Sequence, residues 1–375
     1  RKNQGKHEVE ICVADDASTD GTWDWCLEMM DKDPLFKALK WDGPERVGHT
    51  ILYDRLVNEI ATNDICMIYH ADMYLMPGAL DQIEHKLEDK TIVSLTRIEP
   101  PLHPDGPEKM LMDFGVEPEE FKEDELLEWF KDVQLQQLTK ITEGIFAPWA
   151  FYKKDFQEIG GHDPLYAPQS KEDSDIFNRF QLNGIKFKQT WGGCVYHMTC
   201  RGSRRNTVDK AKNIYEDSPE WLAQNQRSTR NFIRKWGHFV KHDSLMKPII
   251  PSKYDIGIIL DVNNIELLHA LEPWCNTIYC GVGIDLRQNY IAKEQPNTTM
   301  DLSKRVLPYN NEKNNEILVT VDSKFTQQDF GYIQQLPEIL ADSGEPGFHG
   351  ELGNITVEIF EKMSTYEKDL IICKK

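Results

Sequence analysis

Short apolar runs of strand length alternate with amphipathic helical segments along the chain. Residues 9–13 alternate apolar with polar or small side chains, which predicts a strand with one buried face. Residues 65–69 form a continuous apolar run, and residues 80–87 repeat leucine and isoleucine at helical spacing behind it. Strands that alternate with helices in this way predict an α/β fold.

Acidic side chains stand at the ends of these predicted strands. Asp15 and Asp16 follow the first one, before a turn that leads into a helix near Thr22. His70 and Asp72 follow the apolar run at 65–69. The carboxyl ends of strands in an open α/β sheet border the crevice that binds ligands. Taken alone, each acid is equally well explained as a solvated cap of the next helix.

A third group of polar residues lies about one hundred positions after Asp72. The turn Gly160-Gly161-His162-Asp163 precedes an acidic helix start, which contains Glu172, Asp173 and Asp175. A helix N-terminus favours ionised carboxylates. Alternating residues 185–189 then lead to His197 and a basic cluster at Arg201, Arg204 and Arg205. A helix cap, a structural histidine and plain surface charge are the competing explanations.

Together, and in this order, the four motifs resemble those of inverting family 2 glycosyltransferases of the GT-A fold. The resemblance extends over about residues 8–240. It implies a Rossmann-like, nucleotide-binding mixed sheet flanked by helices. The strand that usually comes first in the family has no counterpart before residue 9, so the expected fold is a GT-A domain lacking that strand. Either the chain is truncated there or the site is completed differently.

The resemblance also assigns residues to roles. The metal ligands are expected to be Asp72 and His197, binding Mn²⁺ or Mg²⁺, and the catalytic base is expected to be Asp173. Nucleotide-sugar contacts are expected from Asp15, Asp16, Arg55, His70, Asp72, Arg201 and Arg204. Acceptor contacts are expected from Trp149, Glu172 and Asp175.

Three positions in the matched motifs either have another explanation or depart from the family pattern. Arg55 is equally well explained by a surface ion pair with Asp54 or Glu59. His70 replaces the first acid of the usual Asp-x-Asp, and His162 stands where phenylalanine is usual. The replacement at His70 leaves a ribose or metal-water contact there in doubt.

The predicted activity is metal-dependent, inverting transfer of a sugar from a nucleoside-diphosphate sugar to an acceptor hydroxyl. The acceptor class stays open among glycan, lipid-linked and protein acceptors. Two other classes of function are alternatives. A sugar nucleotidyltransferase also uses a nucleotide fold, carboxylates and a metal. A catalytically decayed protein that binds a nucleotide-sugar or a glycan is suggested by His70 and by the missing strand.

A proline-containing segment at 247–252 predicts a domain boundary, because proline interrupts both helices and strands. We expect a GT-A domain over residues 1–246 and a small α/β accessory domain over 252–375. Strands are predicted at 255–260, 277–280, 316–321, 355–360 and 369–373, and helices at 264–273 and 326–341. This part resembles no family, and its role stays open among docking, oligomerisation and acceptor presentation. Oligomerisation through this part would give a homo-oligomer.

Composition narrows the partners and the compartment. The formal net charge of −19 disfavours nucleic acid and broad contact with anionic lipid. No apolar run approaches the roughly 18 residues that cross a bilayer, so no transmembrane segment is predicted. Eight cysteines without metal-type spacing, and no signal-peptide pattern, favour a reduced cytoplasmic protein, with peripheral attachment to a membrane left open.

Overall fold

The chain divides into two units, which are described one at a time. The computed structural model describes residues 1–102, 104–198, 217–281, 283–362 and 367–373. The first unit comprises residues 1–224, 241–249 and 371–375, and the second comprises residues 225–240 and 250–370. The sequence predicts a boundary between 246 and 252, whereas these units place residues 225–240 with the second.

The first unit alternates strands with helices. Its strands are β1 (Ile11–Asp15), β2 (Phe36–Lys40), β3 (Ile65–Ile68), β4 (Met73–Leu75), β5 (Thr91–Glu99), β6 (Met110–Leu111), β7 (Ile141–Thr142), β8 (Trp149–Tyr152) and β9 (Lys186–His197). Its helices are α1 (Thr22–Lys32), α2 (His49–Arg55), α3 (Ala79–Lys86), α4 (Glu123–Gln137), α5 (Lys153–Glu158) and α6 (Glu172–Leu182). A π-helical turn, Leu56–Ile60, continues α2. Helix α7 (Pro219–Trp236) follows.

The main sheet of this unit has seven strands and mixed direction. Its order is β3-β8-β5-β9-β4, with β6 beside β5 and β7 beside β9. Strands β5 and β9 run parallel, and β8 and β4 pair antiparallel to them on either side. Strands β1 and β2 form a separate parallel pair. The α/β class with a mixed sheet, predicted from the sequence, is confirmed.

Apolar side chains on both faces place β5 at the centre of this sheet. Ile92, Val93 and Leu95 have no exposed surface, as expected for a strand covered by helices on both sides. Helix α6 packs its Phe177 and Phe180 rings edge-on against Trp149 of β8, at 5.6 and 5.7 Å between ring centroids. This packing fixes α6, and with it the acidic residues at its start, relative to the sheet.

The second unit contains a six-stranded sheet. Its strands are β10 (Ile256–Leu260), β11 (Thr277–Cys280), β12 (Val306–Pro308), β13 (Ile317–Val321), β14 (His349–Leu352) and β15 (Ile355–Ile359). Its helices are α8 (Ile265–Leu271), α9 (Ile284–Glu294), α10 (Leu302–Arg305) and α11 (Gln327–Ser343), with α12 (Glu367–Ile371) at the end of the chain. The order is β12-β11-β10-β13-β15-β14, with the first four strands parallel and the last two forming an antiparallel hairpin.

The predicted α/β character of this part is confirmed, but one predicted strand is wrong. Residues 369–373 were expected to form a strand, and the structure instead has helix α12 over Glu367–Ile371. The apolar run there, residues 370–373, is only four residues long, and the polar residues before it complete a helical turn. A run this short cannot distinguish the spacing of apolar residues in a helix from that in a strand.

Two further expectations concern membranes and redox state. Within the described residues, every helix is too short or too polar to cross a bilayer. The cysteines that the structure describes are free thiols, at positions 12, 26, 66, 194, 275, 280 and 373. Cys200 lies outside the described residues.

Candidate functional site

The register of three neighbouring strands brings polar residues together at one edge of the main sheet. Parallel pairing of β5 with β9 sets Ile98 opposite Tyr196, so Glu99 lies beside His197. Antiparallel pairing of β4 with β9 sets Met73 opposite His197, so Asp72 reaches the same place. The site is therefore built by residues that are far apart in sequence but adjacent across the sheet.

His70, Asp72 and His197 form a cluster that has the chemistry of a cation site. One potential ligand atom from each residue lies within 4.8 Å of the others. His197 Nε2 is 3.4 Å from Asp72 Oδ1, and the two imidazole centroids are 6.0 Å apart. The predicted metal ligands Asp72 and His197 thus lie together. His70, expected to contact the nucleotide-sugar, lies with them and supplies a third ligand atom.

Glu99 holds the ring of His197 from the other side. His197 Nδ1 lies 2.8 Å from Glu99 Oε1, and the glutamate is 1 % exposed. Lys109 Nζ and Arg97 Nη1 approach the same carboxylate at 3.1 and 3.3 Å. An acid on the second ring nitrogen of a metal-binding histidine fixes both its orientation and its tautomer. Sequence reasoning missed Glu99, although an acid at the end of a buried strand was a signal of the same kind as Asp72.

The pKa values of Glu99, His70 and Asp72 suit cation binding. Burial raises the pKa of Glu99, but the hydrogen bond from His197 and the charge of Arg97 outweigh it and lower the pKa to about 2. Burial and the neighbouring His197 lower the pKa of His70 to about 4. Burial opposes ionisation of Asp72, but the hydrogen bond from His197 lowers its pKa. A neutral imidazole and an ionised carboxylate are the forms that bind metals. Burial lowers the pKa of His197, but its hydrogen bonds with Asp72 and Glu99 outweigh burial and raise the pKa, so a cation would displace a proton from this ring.

A second pair of acids lies at the start of α6. Ser170 and Lys171 both have positive φ, 77° and 71°, and turn the chain sharply into the helix. Glu172 Oε1 accepts a hydrogen bond from His49 Nε2 at 2.6 Å. Burial and the charge of Glu172 raise the pKa of Asp173 to about 6. A carboxylate with a pKa in this range can take a proton near neutral pH, as a general base requires.

Tyr53 connects the two groups of acids. Its ring lies 5.4 Å from the ring of His49. Burial raises the pKa of its phenol, and the charges of Asp173, Glu172 and Asp72 raise it further. The charges of the α6 acids and of Asp72 therefore act on the same phenol. His49 and Tyr53 were not predicted, because neither belongs to a local motif.

The turn before α6 is fixed by a buried Asp–His pair. His162 Nδ1 lies 2.7 Å from Asp54 Oδ1, and the backbone N–H of His162 donates to the same oxygen at 3.1 Å. Gly161 has φ 69°, and a Cβ there would lie 2.2 Å from Asp54 Oδ2, so glycine is required. The histidine found in place of the usual phenylalanine is thus a buried partner of Asp54.

The acids after β1 have structural partners. Asp15 is buried, and its Oδ1 accepts a hydrogen bond from the backbone of Ser18 at 3.1 Å. Both carboxylate oxygens of Asp16 accept backbone N–H groups, from Val47 at 2.8 Å and Gly48 at 2.9 Å. Burial lowers the pKa of His49, but the α6 acids and then Asp16 outweigh burial and raise the pKa. Asp15 therefore shapes the turn after β1, and Asp16 shapes the loop before α2.

Three other predicted contacts are engaged in different interactions. Arg55 pairs with Glu59 one helical turn away, with Nη2 and Oε2 at 2.8 Å. Trp149 has no exposed surface and lies in the core, because its indole fills the space under α6. Asp175 is also fully buried and pairs with Arg179 at 2.7 Å. The structure gives Trp149 and Asp175 no exposed surface for an acceptor. Arg201, Arg204 and Arg205 lie outside the described residues.

Residues 2–160 match the model of glycosyl transferase family 2. The matched range includes the acids after β1 and the His70–Asp72 segment, and it ends before α6. No curated protein matches the chain significantly. The sequence resemblance to this family is confirmed over these residues.

Three solved structures with similarity to the chain are distant from it in sequence. GalNAc-T7 with UDP, GalNAc and Mn²⁺ is 12 % identical, with a TM-score of 0.39 over 61 % of this chain and 44 % of that one. The mannosyltransferase PcManGT from Pyrobaculum calidifontis, in complex with GDP-Man and Mn²⁺, is 16 % identical, with a TM-score of 0.36 over 60 % and 54 %. TarS from S. aureus is 10 % identical, with a TM-score of 0.38 over 95 % and 54 %. The chain spans about half the length of these proteins.

Proposed function

We propose that this chain, whose residues 2–160 belong to glycosyl transferase family 2, transfers a sugar from a nucleoside-diphosphate sugar to an acceptor hydroxyl. The transfer inverts the anomeric carbon, with Asp173 as the general base. The observation that supports this most concerns the phenol of Tyr53. Burial raises its pKa, and the charges of Asp173, Glu172 and Asp72 all raise it further. A general base and a bound cation are the two components that direct displacement needs.

Asp173 receives the proton in the proposed reaction. The acceptor oxygen forms a bond to the anomeric carbon while the bond from that carbon to the diphosphate oxygen breaks. The acceptor's proton moves to Asp173, and the bonding electron pair leaves with the diphosphate. The neighbouring Glu172 is held by His49, so its negative charge stays in place and keeps Asp173 basic. We also assign Glu172 to orienting the acceptor hydroxyl.

The donor end of the site is assigned to the acids after β1. Asp15 and Asp16 lie at the carboxyl end of β1, where nucleotides bind in open α/β sheets. Asp16 fixes the backbone at residues 47–48 and thereby shapes the loop that precedes α2. We assign these residues to the nucleotide, whose identity the site does not specify.

The residues present fit a resident divalent cation. His70, Asp72 and His197 would hold it, and Glu99 already orients one of the two imidazoles. A cation bound there would neutralise charge that develops on the departing diphosphate. Two nitrogen donors and one oxygen donor suit Mn²⁺ better than Mg²⁺, which prefers oxygen ligands. We therefore assign Mn²⁺ to this site.

Thermal-shift titration of the whole chain tests the metal. Mn²⁺ should raise the melting temperature at lower concentration than Mg²⁺ does, because binding to the folded state stabilises it by mass action. The variant His70→Asp restores the Asp-x-Asp pattern. It should narrow the difference between the concentrations of Mn²⁺ and Mg²⁺ that raise the melting temperature. Equal responses of the wild type to Mn²⁺ and Mg²⁺ would refute the Mn²⁺ assignment.

Product analysis tests the transfer itself. The whole chain is incubated with Mn²⁺ and each of UDP-glucose, UDP-galactose, UDP-N-acetylglucosamine, UDP-N-acetylgalactosamine and GDP-mannose. Release of UDP or GDP supports sugar transfer or its slow hydrolytic side reaction. Asp173→Asn should still bind the donor but lose turnover by at least about a thousandfold, since it cannot accept the proton. The matched control is Ser174→Ala on the same turn of α6, which should stay active.

Two outcomes would overturn the proposed function. Consumption of a nucleoside triphosphate with release of pyrophosphate would identify a nucleotidyltransferase. Donor binding without cleavage, in wild type and Asp173→Asn alike, would identify a binding protein on a decayed scaffold.

A further inference from the structure

The second unit contains an open cavity of about 430 Å³ that no part of the proposed reaction uses. Residues of α7, α8 and α11 and the segments after α7 and α8 form its walls. All of its lining residues belong to the second unit. Its size falls within the roughly 300–1,000 Å³ of small-ligand sites.

Three aromatic rings form one side of this cavity. Phe239 and Trp274 meet edge to face with centroids 5.0 Å apart, and Phe330 contacts Trp274 in the same way at 5.9 Å. Trp274 is 5 % exposed and therefore fixed, whereas Phe239 is 43 % exposed. An exposed aromatic ring held by a buried one presents a negative π face to ligand C–H groups.

The remaining walls combine polar and apolar side chains but offer no free charge. Gln226 and Gln334 contribute amides, each of which can both donate and accept hydrogen bonds. Arg230 is the one ionised side chain among the lining residues. Its guanidinium is already bound by Glu294 at 2.9 Å and by the phenol of Tyr290 at 3.1 Å. An ionic ligand would find no unpaired countercharge here.

We propose that this cavity binds a saccharide ring. A pyranose is neutral, has an apolar C–H face that stacks on an aromatic ring, and carries hydroxyls that pair with amides at its edge. The cavity matches each of these features. Its aromatic rings suit the C–H face, its two amides suit the hydroxyls, and its one arginine is already neutralised, which suits an uncharged ligand. A nucleotide, a phosphate or a cation lacks a countercharge in this cavity, and a purely apolar ligand would leave the amides unsatisfied. The site is separate from the transfer site and does not depend on transfer chemistry.

The test measures binding to the whole chain in the presence of EDTA and without nucleotide. Saturation-transfer NMR and calorimetry are run with glucose, galactose, mannose, N-acetylglucosamine, maltose, lactose, cellobiose and chitobiose as probes. At least one of these saccharides should bind. Phe239→Ala should raise its Kd about tenfold, because a stacked ring is lost. The matched control is Phe360→Ala, since Phe360 is 57 % exposed in the same unit and does not line the cavity.

A second variant addresses the polar wall, and a third addresses the first unit. Gln334→Ala should also weaken binding, while Asp173→Asn should leave it unchanged. Three results would overturn the inference: no probe binds at millimolar concentration, Phe239→Ala and Gln334→Ala both bind normally, or Asp173→Asn abolishes binding. Because the assay contains neither donor nor cation, its failure leaves the proposed transfer untouched. Failure of the product analysis likewise leaves this site standing.

Discussion

Two acids of the candidate site have pKa values shifted in opposite directions, and their neighbours explain the difference. Glu99 faces His197, Arg97 and Lys109, and its pKa falls to about 2. Asp173 is half-buried beside another carboxylate, Glu172, and its pKa rises to about 6. Carboxylates whose surroundings push their pKa values apart take different roles. Glu99 is a permanent anion that orients a ligand, and Asp173 is a group that can exchange a proton.

The first prediction concerns Glu99. In Glu99→Gln the second nitrogen of His197 loses an anionic partner, so the imidazole is less fixed and less basic. We expect Mn²⁺ affinity to fall by about 10- to 100-fold, as measured by calorimetric titration. Glu108→Gln is the control, because Glu108 Oε1 lies 3.6 Å from Arg97 in the same cluster without contacting His197. Equal losses of Mn²⁺ affinity in both variants would show that the affinity depends on the charge of the cluster and not on the contact with His197.

The second prediction concerns the stability cost of Asp173. The pKa of Asp173 is raised in the folded state. Its protonated form therefore contributes its full stabilisation to the folded protein below about pH 4. That contribution to the free energy of unfolding is lost as the pH rises through about 6. Asp173→Asn resembles the protonated form at every pH. We expect it to be about 1–2 kcal/mol more stable than wild type at pH 8 and equal to it at pH 4, by urea unfolding in EDTA.

Asp132→Asn is the control for this measurement, because Asp132 lies on an exposed face of α4. It should not change stability at either pH. An Asp173→Asn variant that is no more stable at pH 8 than at pH 4, relative to wild type, would contradict the raised pKa.

Local sequence motifs identify the site residues that lie within them. They miss residues that contact the site from a distant part of the sequence. Asp72, Asp173 and His197 were found because each follows a strand or starts a helix with recognisable neighbours. His49 pairs with Glu172 across 123 positions, and nothing in the pattern around His49 indicates that partner. Trp149 was predicted as an acceptor contact, but a tryptophan on a strand is equally suited to the core, where it lies.

At the scale of elements, α6 carries the candidate base and is locked by one buried arginine. Arg179 pairs with Asp175 on its own helix through Nε at 2.7 Å. Its other nitrogens donate to the backbone carbonyls of Ile159 at 3.0 Å and Gly161 at 2.6 Å. The same side chain therefore joins α6 to the turn before it and fixes where α6 begins.

The third prediction compares two i,i+4 ion pairs in different surroundings. Arg179→Ala leaves Asp175 without its charged partner in the core and releases the turn, so we expect a loss of about 3–5 kcal/mol in unfolding free energy. Arg55→Ala breaks the exposed pair with Glu59 and should cost less than about 0.5 kcal/mol. Urea unfolding gives both values, and comparable losses in the two variants would contradict the role of burial.

Arg55→Ala also tests the nucleotide contact predicted for Arg55. If that contact exists, the variant should raise KM for the donor without lowering the melting temperature. An unchanged KM would leave Arg55 as the surface pair with Glu59 and nothing more.

Element type is easier to predict than element length where charges are buried. The sequence predicts a strand over residues 92–95, while β5 continues to Glu99. Arg97 and Glu99 interrupt the apolar run, and the pattern alone assigns them to a loop. They extend a buried strand because they pair with each other at 3.3 Å and with residues of neighbouring segments. Hydropathy cannot anticipate such compensation, since it depends on partners outside the segment.

At the scale of the whole molecule, each unit has its own core and its own buried ionic cluster. In the first unit this is the Asp175–Arg179 pair. In the second unit Glu272 has no exposed surface and binds Arg234 of α7 at 2.7 Å and Arg305 of α10 at 3.0 Å. Removing one member of such a cluster leaves an uncompensated buried charge, which typically costs about 3–5 kcal/mol. Each unit can therefore be destabilised separately.

The last prediction is that calorimetry of the whole chain resolves two unfolding transitions. Units with separate cores behave as separate cooperative blocks unless their interface is large and apolar. Glu272→Gln should lower one transition by about 5–10 °C, because it leaves Arg234 and Arg305 with too little negative charge. Asp175→Asn should lower the other by a similar amount, since Arg179 loses its partner. If each variant shifts a different transition, the two units unfold independently. If both variants lower a single transition equally, the two cores unfold as one cooperative block.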